Sequence, residues 1–166
     1  INRGNSGGPL FNTGGEVIGI NTAIYSQSGG SVGIGFAISS NLAGRVTSQL
    51  VQFGQTRRGW LGVFIQEVTP DIAESLGLKE SSGALVSSVN ESSPAAKGGV
   101  QPGDVILKFD GKAIDRMRDL PRIVAETEIG TKVDVELFRQ GLAKTVTIIL
   151  GELEKAEGSG RINGAK

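Results

Sequence analysis

The 166-residue chain contains no Cys and no His, 26 Gly, a single Trp and 17 basic against 17 acidic side chains. That is room for one or two small domains, and it excludes zinc fingers, disulfide frameworks, thiol nucleophiles and any imidazole base within these residues. Zero formal net charge without a basic run speaks against a nucleic-acid partner, and no stretch approaches the ~18 apolar residues of an integral membrane segment.

Charge divides the chain. Residues 1–56 carry only Arg3, Glu16 and Arg45, and every other charged side chain follows them. The opening Ile-Asn-Arg-Gly has no initiator Met, basic n-region or apolar signal core and reads as the middle of a longer chain. Val17 to Ile24 is a nearly continuous apolar run between Gly-rich and Ser-rich stretches, which predicts a buried strand. Val32 to Ile38 predicts a second strand, with interior glycines where another backbone approaches closely. One of Ser39, Ser40 or Asn41 caps an amphipathic helix built on Leu42, Val46, Leu50 and Phe53 and ending at Gly54. So few elements cannot close a sheet, and an unpaired edge is expected.

Residues 57–151 hold a fuller set. Leu61 to Val68 reads as a strand. Thr69 and Pro70 open a short helix that closes near Gly77. Ala84 to Val89 is a strand, Ser93 to Gly99 a capped helical turn, and Val105 to Phe109 a further strand leading to a tight Asp110-Gly111 turn. Because Pro121 is tolerated only near a helix start, the next N-cap is placed at Asp119, with the helix running to about Glu126. Val133, Val135 and Leu137, then Val146, Ile148 and Leu150, alternate about Arg139-Gln140-Gly141 as a half-buried hairpin. Glu152 to Lys166 is polar and without apolar periodicity, and is read as a linker.

Gly4-Asn5-Ser6-Gly7-Gly8-Pro9 is the most specific chemical signal. An acyl-transfer serine must stand on a tight turn where its hydroxyl meets a carbonyl carbon while backbone N–H groups converge on the oxyanion. Gly-Asn-Ser-Gly alone is also ordinary turn chemistry. The full hexapeptide, followed by Leu10-Phe11 and the Val17 strand, resembles the serine loop of chymotrypsin-fold proteases. With Gly19 to Ile24 and Gly33 to Ile38 it is similar to the HtrA/Deg (DegP-like) branch. The resemblance implies Ser6 as nucleophile, the N–H groups of Gly4 and Ser6 as oxyanion hole, Asn21, Thr22, Ala23 and Ile24 as the substrate-pocket strand, and Tyr25 to Val32 as an activation loop. In that fold the triad runs His, Asp, Ser, so the base and its carboxylate are expected upstream of Ile1.

The run Ala95-Ala96-Lys97-Gly98-Gly99-Val100-Gln101-Pro102-Gly103-Asp104-Val105-Ile106, continuing to Asp110-Gly111, resembles the PDZ domain over residues 59–151. Turn and core roles account for that run. The ligand signal lies at Arg58-Gly59-Trp60-Leu61-Gly62-Val63, which matches a loop whose N–H groups face a peptide carboxylate and lead into a strand that accepts the peptide as a neighbour. The resemblance implies a peptide-binding set of Trp60, Leu61, Gly62, Val63, Phe64 and Ile65, with Leu120 and Val124 on the opposite helix facing either groove or core.

The fold class expected is mainly β with a few helices: a partial chymotrypsin-like barrel in 1–56, a PDZ domain in 57–151 and a linker in 152–166. The function implied is that of part of an ATP-independent periplasmic serine endopeptidase acting on unfolded or misfolded proteins, with a PDZ module that binds polypeptides or their C-termini. No cofactor and no metal are called for, and a homotrimer or higher oligomer is implied for the parent protein. The competing readings are a stand-alone PDZ adaptor without catalysis and a Gly-rich domain without a ligand.

Overall fold

Apolar runs and glycine turns become, in the computed structural model, two units whose contacts separate at Ile1–Thr56 and Arg57–Lys166. The structure describes residues 4–26 and 33–158. The expected activation loop therefore lies largely outside the described residues, as does the linker beyond Gly158.

In the first unit, β1 (Pro9–Phe11), β2 (Val17–Tyr25) and β3 (Ile34–Ser39) form an antiparallel three-stranded sheet in that order. Helix α1 (Ser40–Phe53) follows at once. It ends where Gly54 takes φ 70° and its N–H donates to Leu50 O at 2.9 Å. The buried strand expected at Val17 is not buried: Gly19 and Asn21 are, but Val17 and Ile18 stay 44 % and 46 % exposed. The reason is geometric. A single three-stranded sheet, beside a helix with no buried residue, cannot cover both of its faces.

The second unit opens with β4 (Gly59–Trp60) and β5 (Val63–Glu67), so the strand expected over Leu61–Val68 is broken at Gly62. Helix α2 (Pro70–Leu76) begins with the Thr69 hydroxyl accepting from Ile72 N–H and closes at Gly77, as the Thr-Pro start and Gly stop predict. Strand β6 (Ala84–Val89) leads to the short α3 (Pro94–Lys97), capped by Ser93 Oγ on Ala96 N–H at 3.1 Å. Next come β7 (Val105–Phe109), β8 (Lys112–Ala113) and α4 (Asp119–Glu126). The N-cap of α4 is Arg118, one residue before the expected Asp119, whose carboxylate instead accepts from Arg116 N–H at 2.9 Å. Strands β9 (Lys132–Arg139) and β10 (Leu142–Ile149) form the predicted hairpin, with Arg139 opposite Leu142.

The main sheet runs β10-β9-β7-β6-β5, with β8 added to β7, and this order places β5 at an edge. Its core is Ile106, Phe109, Ile114, Leu120, Leu137 and Ile148 with the small apolar residues between them. Each such side chain, fully buried, stabilises the unit by about 1.5–3 kcal/mol. A second cluster of Val68, Ala73, Leu85 and Val105 seats α2.

The segment read as a linker is partly structured. Gly151–Glu152 forms β11, antiparallel to β4, and Leu153–Gly158 forms α5, with Glu152 and Ala156 buried. Among the described residues no helix is long and apolar enough to cross a membrane.

Candidate functional site

Two sites were expected, one in each unit. In the first, Ser6 stands on a turn closed by Gly8 N–H donating to Asn5 O at 3.0 Å. Gly7 N–H donates to Asn21 O at 2.8 Å and Asn21 N–H to Gly8 O at 2.9 Å, which laces the loop onto β2. Gly7 takes φ 83°, a left-handed conformation that a side chain would strain, so the residue after the serine has to be glycine for this turn. Ser6 is exposed, and its hydroxyl donates to Thr22 O at 3.0 Å. A backbone carbonyl is not a base, so in this arrangement the serine proton is held and the oxygen is an ordinary, weak nucleophile.

The expected pocket strand lies directly beside this turn. Asn21 is buried; its Nδ2 reaches Pro9 O at 3.4 Å, and its Oδ1 has no hydrogen-bond partner among the described residues. Thr22 turns its hydroxyl back to Ile20 O at 3.1 Å. Ala23 is exposed and Ile24 half-buried.

In the second unit the chain from β4 to β5 and the face of α4 enclose a groove of about 180 Å³. Trp60, Leu61, Gly62, Val63, Ile65, Leu120 and Val124 all line it. Leu120 and Val124 are also buried members of the main core cluster, so groove and core roles coincide. Phe64 does not line the groove; on a strand, alternate residues face opposite ways, and Val63 and Ile65 take the groove face.

Gly59, part of the expected ligand loop, also lines the groove, and Pro121, Ala125 and Leu153 line it without having been anticipated from the sequence. A Cβ on Gly59 would fall 2.1 Å from Val124 O, so only glycine lets β4 approach α4 this closely. At Gly62 the chain takes φ 83°, and the carbonyls of Leu61 and Gly62 accept from Ala95 and Asn90 N–H, both at 2.9 Å.

The base of this loop is held by the segment after the sheet. Arg57 donates through Nε and Nη2 to Glu152 at 3.3 and 3.1 Å, and Lys155 reaches the same carboxylate at 2.9 Å. Glu154 accepts from Arg58 N–H at 2.9 Å and Arg58 Nε at 2.8 Å. The hydrogen bonds from Lys155 and Arg57 hold the Glu152 carboxyl below its ordinary 4.5. For Glu154, desolvation pushes the other way, but the hydrogen bonds to Arg58 outweigh it and the net direction is again down.

Since both groups are more acidic folded than unfolded, the unfolded chain binds more protons in acid. The stability they contribute is complete above pH 4.5 and is lost as pH falls below it through the folded-state values. Glu152→Gln is therefore expected to lower the urea midpoint of this unit at pH 7 and to converge with the unsubstituted chain only once the pH has fallen below the folded-state value. Fluorescence of Trp60, the single tryptophan, reports the transition.

Comparison with known proteins finds both domain types in the chain. The family model for the PDZ domain matches residues 32–150 and that for trypsin residues 1–45. A probable periplasmic serine endoprotease, DegP-like, of Pseudomonas fulva (strain 12-X) is 51 % identical over 99 % of this chain and 34 % of its own length. Its counterpart in Rhizobium meliloti (strain 1021) is 52 % identical over 92 % of this chain and 30 % of its own length. Among solved structures, the HtrA-type protease AlgW with tripeptide is 47 % identical, with TM-score 0.79 over 92 % of this chain and 50 % of that one. The serine endoprotease from Yersinia pestis is 36 % identical, with TM-score 0.65 over 92 % and 49 %.

The chain belongs to the PDZ domain family, and over nearly its whole length it is similar to HtrA/DegP-like serine proteases. It spans about a third of the length of the curated relatives it matches.

Proposed function

We propose that this chain supplies the serine loop and the peptide-binding module of a periplasmic, ATP-independent serine endopeptidase that degrades unfolded or misfolded proteins. Ser6 is the nucleophile whose Oγ attacks the scissile carbonyl, and the N–H groups of Gly4 and Ser6 receive the oxyanion. Asn21, Thr22, Ala23 and Ile24 form the wall of the pocket for the residue before the scissile bond. The PDZ unit holds unfolded polypeptides or free C-termini, and the parent protein assembles as a trimer or higher oligomer. Similarity to endoproteases over 99 % of the chain favours this reading over a stand-alone adaptor.

The observation that carries the binding half is an apolar groove whose one wall is β5, an edge strand, entered through the left-handed Gly62. An edge strand has a free row of backbone donors and acceptors that an extended peptide can pair with. Peptides with a free apolar C-terminus are expected to bind with micromolar affinity, about 8 kcal/mol. Amidation of that terminus should weaken them by about 1.5–3 kcal/mol, through loss of charge-assisted hydrogen bonds. Titration followed by Trp60 emission measures both, and equal affinity for acid and amide would instead mean recognition of internal segments by strand addition.

The catalytic half carries its own expectation. The 166 residues contain no His, so Ser6 has no imidazole to take its proton. This polypeptide alone should neither cleave denatured casein nor react with a fluorophosphonate probe; labelling that disappears in Ser6→Ala would overturn this.

A further inference from the structure

We propose that the segment Gly151–Gly158 is a built-in wall of the peptide groove and that Leu153 selects the terminal side chain of the bound peptide by size. This rests on the groove being a C-terminal peptide site. Leu153 is a groove-lining residue lying outside β4, β5 and α4. Its N–H donates to Arg58 O at 2.9 Å, one step past the Glu152–Gly59 pair, which sets it at the end of the groove formed by β4, the strand from which the loop through Gly62 leads on. That is the end a peptide carboxylate would enter, so the side chain nearest to Leu153 is that of the last peptide residue.

The segment is fixed firmly enough to serve as a wall. Glu152 and Ala156, four residues apart and so on one face of the turn, are buried, while Leu153 is only half-buried and open to the groove. The Arg57–Glu152 and Arg58–Glu154 pairs fasten the Gly59–Glu152 end of the β4–β11 ladder. A side chain held this way bounds a cavity of fixed size, and a fixed apolar wall discriminates ligands by the methylenes it admits or refuses.

The test uses the full 166-residue chain. Three peptides identical except for a terminal Val, Leu or Phe, each as free acid and as amide, are titrated against the unsubstituted chain, Leu153→Ala and Leu153→Phe. Leu153→Ala is expected to shift the Phe-to-Val affinity ratio by roughly tenfold toward Phe, and Leu153→Phe to shift it in the opposite direction. Both variants should keep the preference of the unsubstituted chain for acid over amide. Either variant carries the test if the other does not fold.

An unchanged ranking in a folded variant, or a uniform loss for all three peptides, overturns the role of Leu153 while leaving the groove assignment standing. Absence of any acid preference in the unsubstituted chain overturns the groove assignment and this inference with it.

Discussion

Arg139→Ala is expected to destabilise the unit from Arg57 onward by about 3–5 kcal/mol, a large share of the roughly 5–15 kcal/mol that holds a domain folded. Asp104 is 1 % exposed, and Arg139 grips it with Nε on Oδ1 at 2.6 Å and Nη2 on Oδ2 at 2.7 Å. The same Nη2 donates to Gly99 O at 2.8 Å, and Asp104 Oδ2 also accepts from Gln101 N–H at 2.8 Å. One fork thus pins the Gly99–Asp104 turn to the end of β9. The hydrogen bond to Asp104 raises the guanidinium pKa against the opposing effect of burial, so the arginine stays charged.

Removing the fork leaves a buried carboxylate with a single backbone donor, and desolvation of the unpaired charge is the main cost. Arg139→Lys is expected to recover only part of the loss, because an ammonium cannot bond both oxygens and Gly99 O in one plane. Urea titration followed by Trp60 emission measures the change; a loss below about 1 kcal/mol would mean the pair behaves as a solvent-screened surface bridge.

That pair also shows where reading the sequence reaches its limit. The hairpin of β9 and β10, the caps at Thr69 and Ser93 and the stop at Gly54 were all legible, because each is written in residues a few positions apart. Asp104 and Arg139 are 35 positions apart, and no local period links them. The same holds more strongly for Glu152 and Glu154, whose arginine partners lie 95 and 96 positions earlier. Read locally, residues 152–158 are charged and aperiodic, which describes a linker; in the fold those charges are what dock β11 and α5, and Leu153 enters the groove unannounced.

In the serine loop the reverse applies: Gly-Asn-Ser-Gly-Gly-Pro encodes its own turn, and the tie of Ser6 to Thr22 follows from laying that turn on the adjacent strand. The exposure of Val17 and Ile18 was not legible, since an apolar strand reads as buried whether or not anything covers it.

Gly62→Ala is expected to cost about 2–5 kcal/mol of stability, through crowding and strain in the loop itself. From sequence, a side chain at Gly62 would stand where the carboxylate approaches. In the structure, an added Cβ meets neighbouring side chains at once. It would fall 2.3 Å from Ser93 Cβ, 2.9 Å from Ser93 Oγ and 3.0 Å from Trp60 Cζ2. Ser93 is fully buried and its hydroxyl is the cap of α3, so it cannot retreat without surrendering the bond to Ala96 N–H, itself worth about 1 kcal/mol. Overpacking of this kind adds about 1–3 kcal/mol, and φ of 83° is a further strain of about 1–2 kcal/mol on any residue with a Cβ.

The loop should relax by displacing Leu61 and Trp60, so peptide affinity falls together with the urea midpoint. Ser93→Gly in the Gly62→Ala background removes the obstructing side chain and should return part of the lost affinity, although the cap itself is gone. If Gly62→Ala abolished binding at an unchanged urea midpoint, the side chain at 62 would have to stand in the carboxylate's path after all.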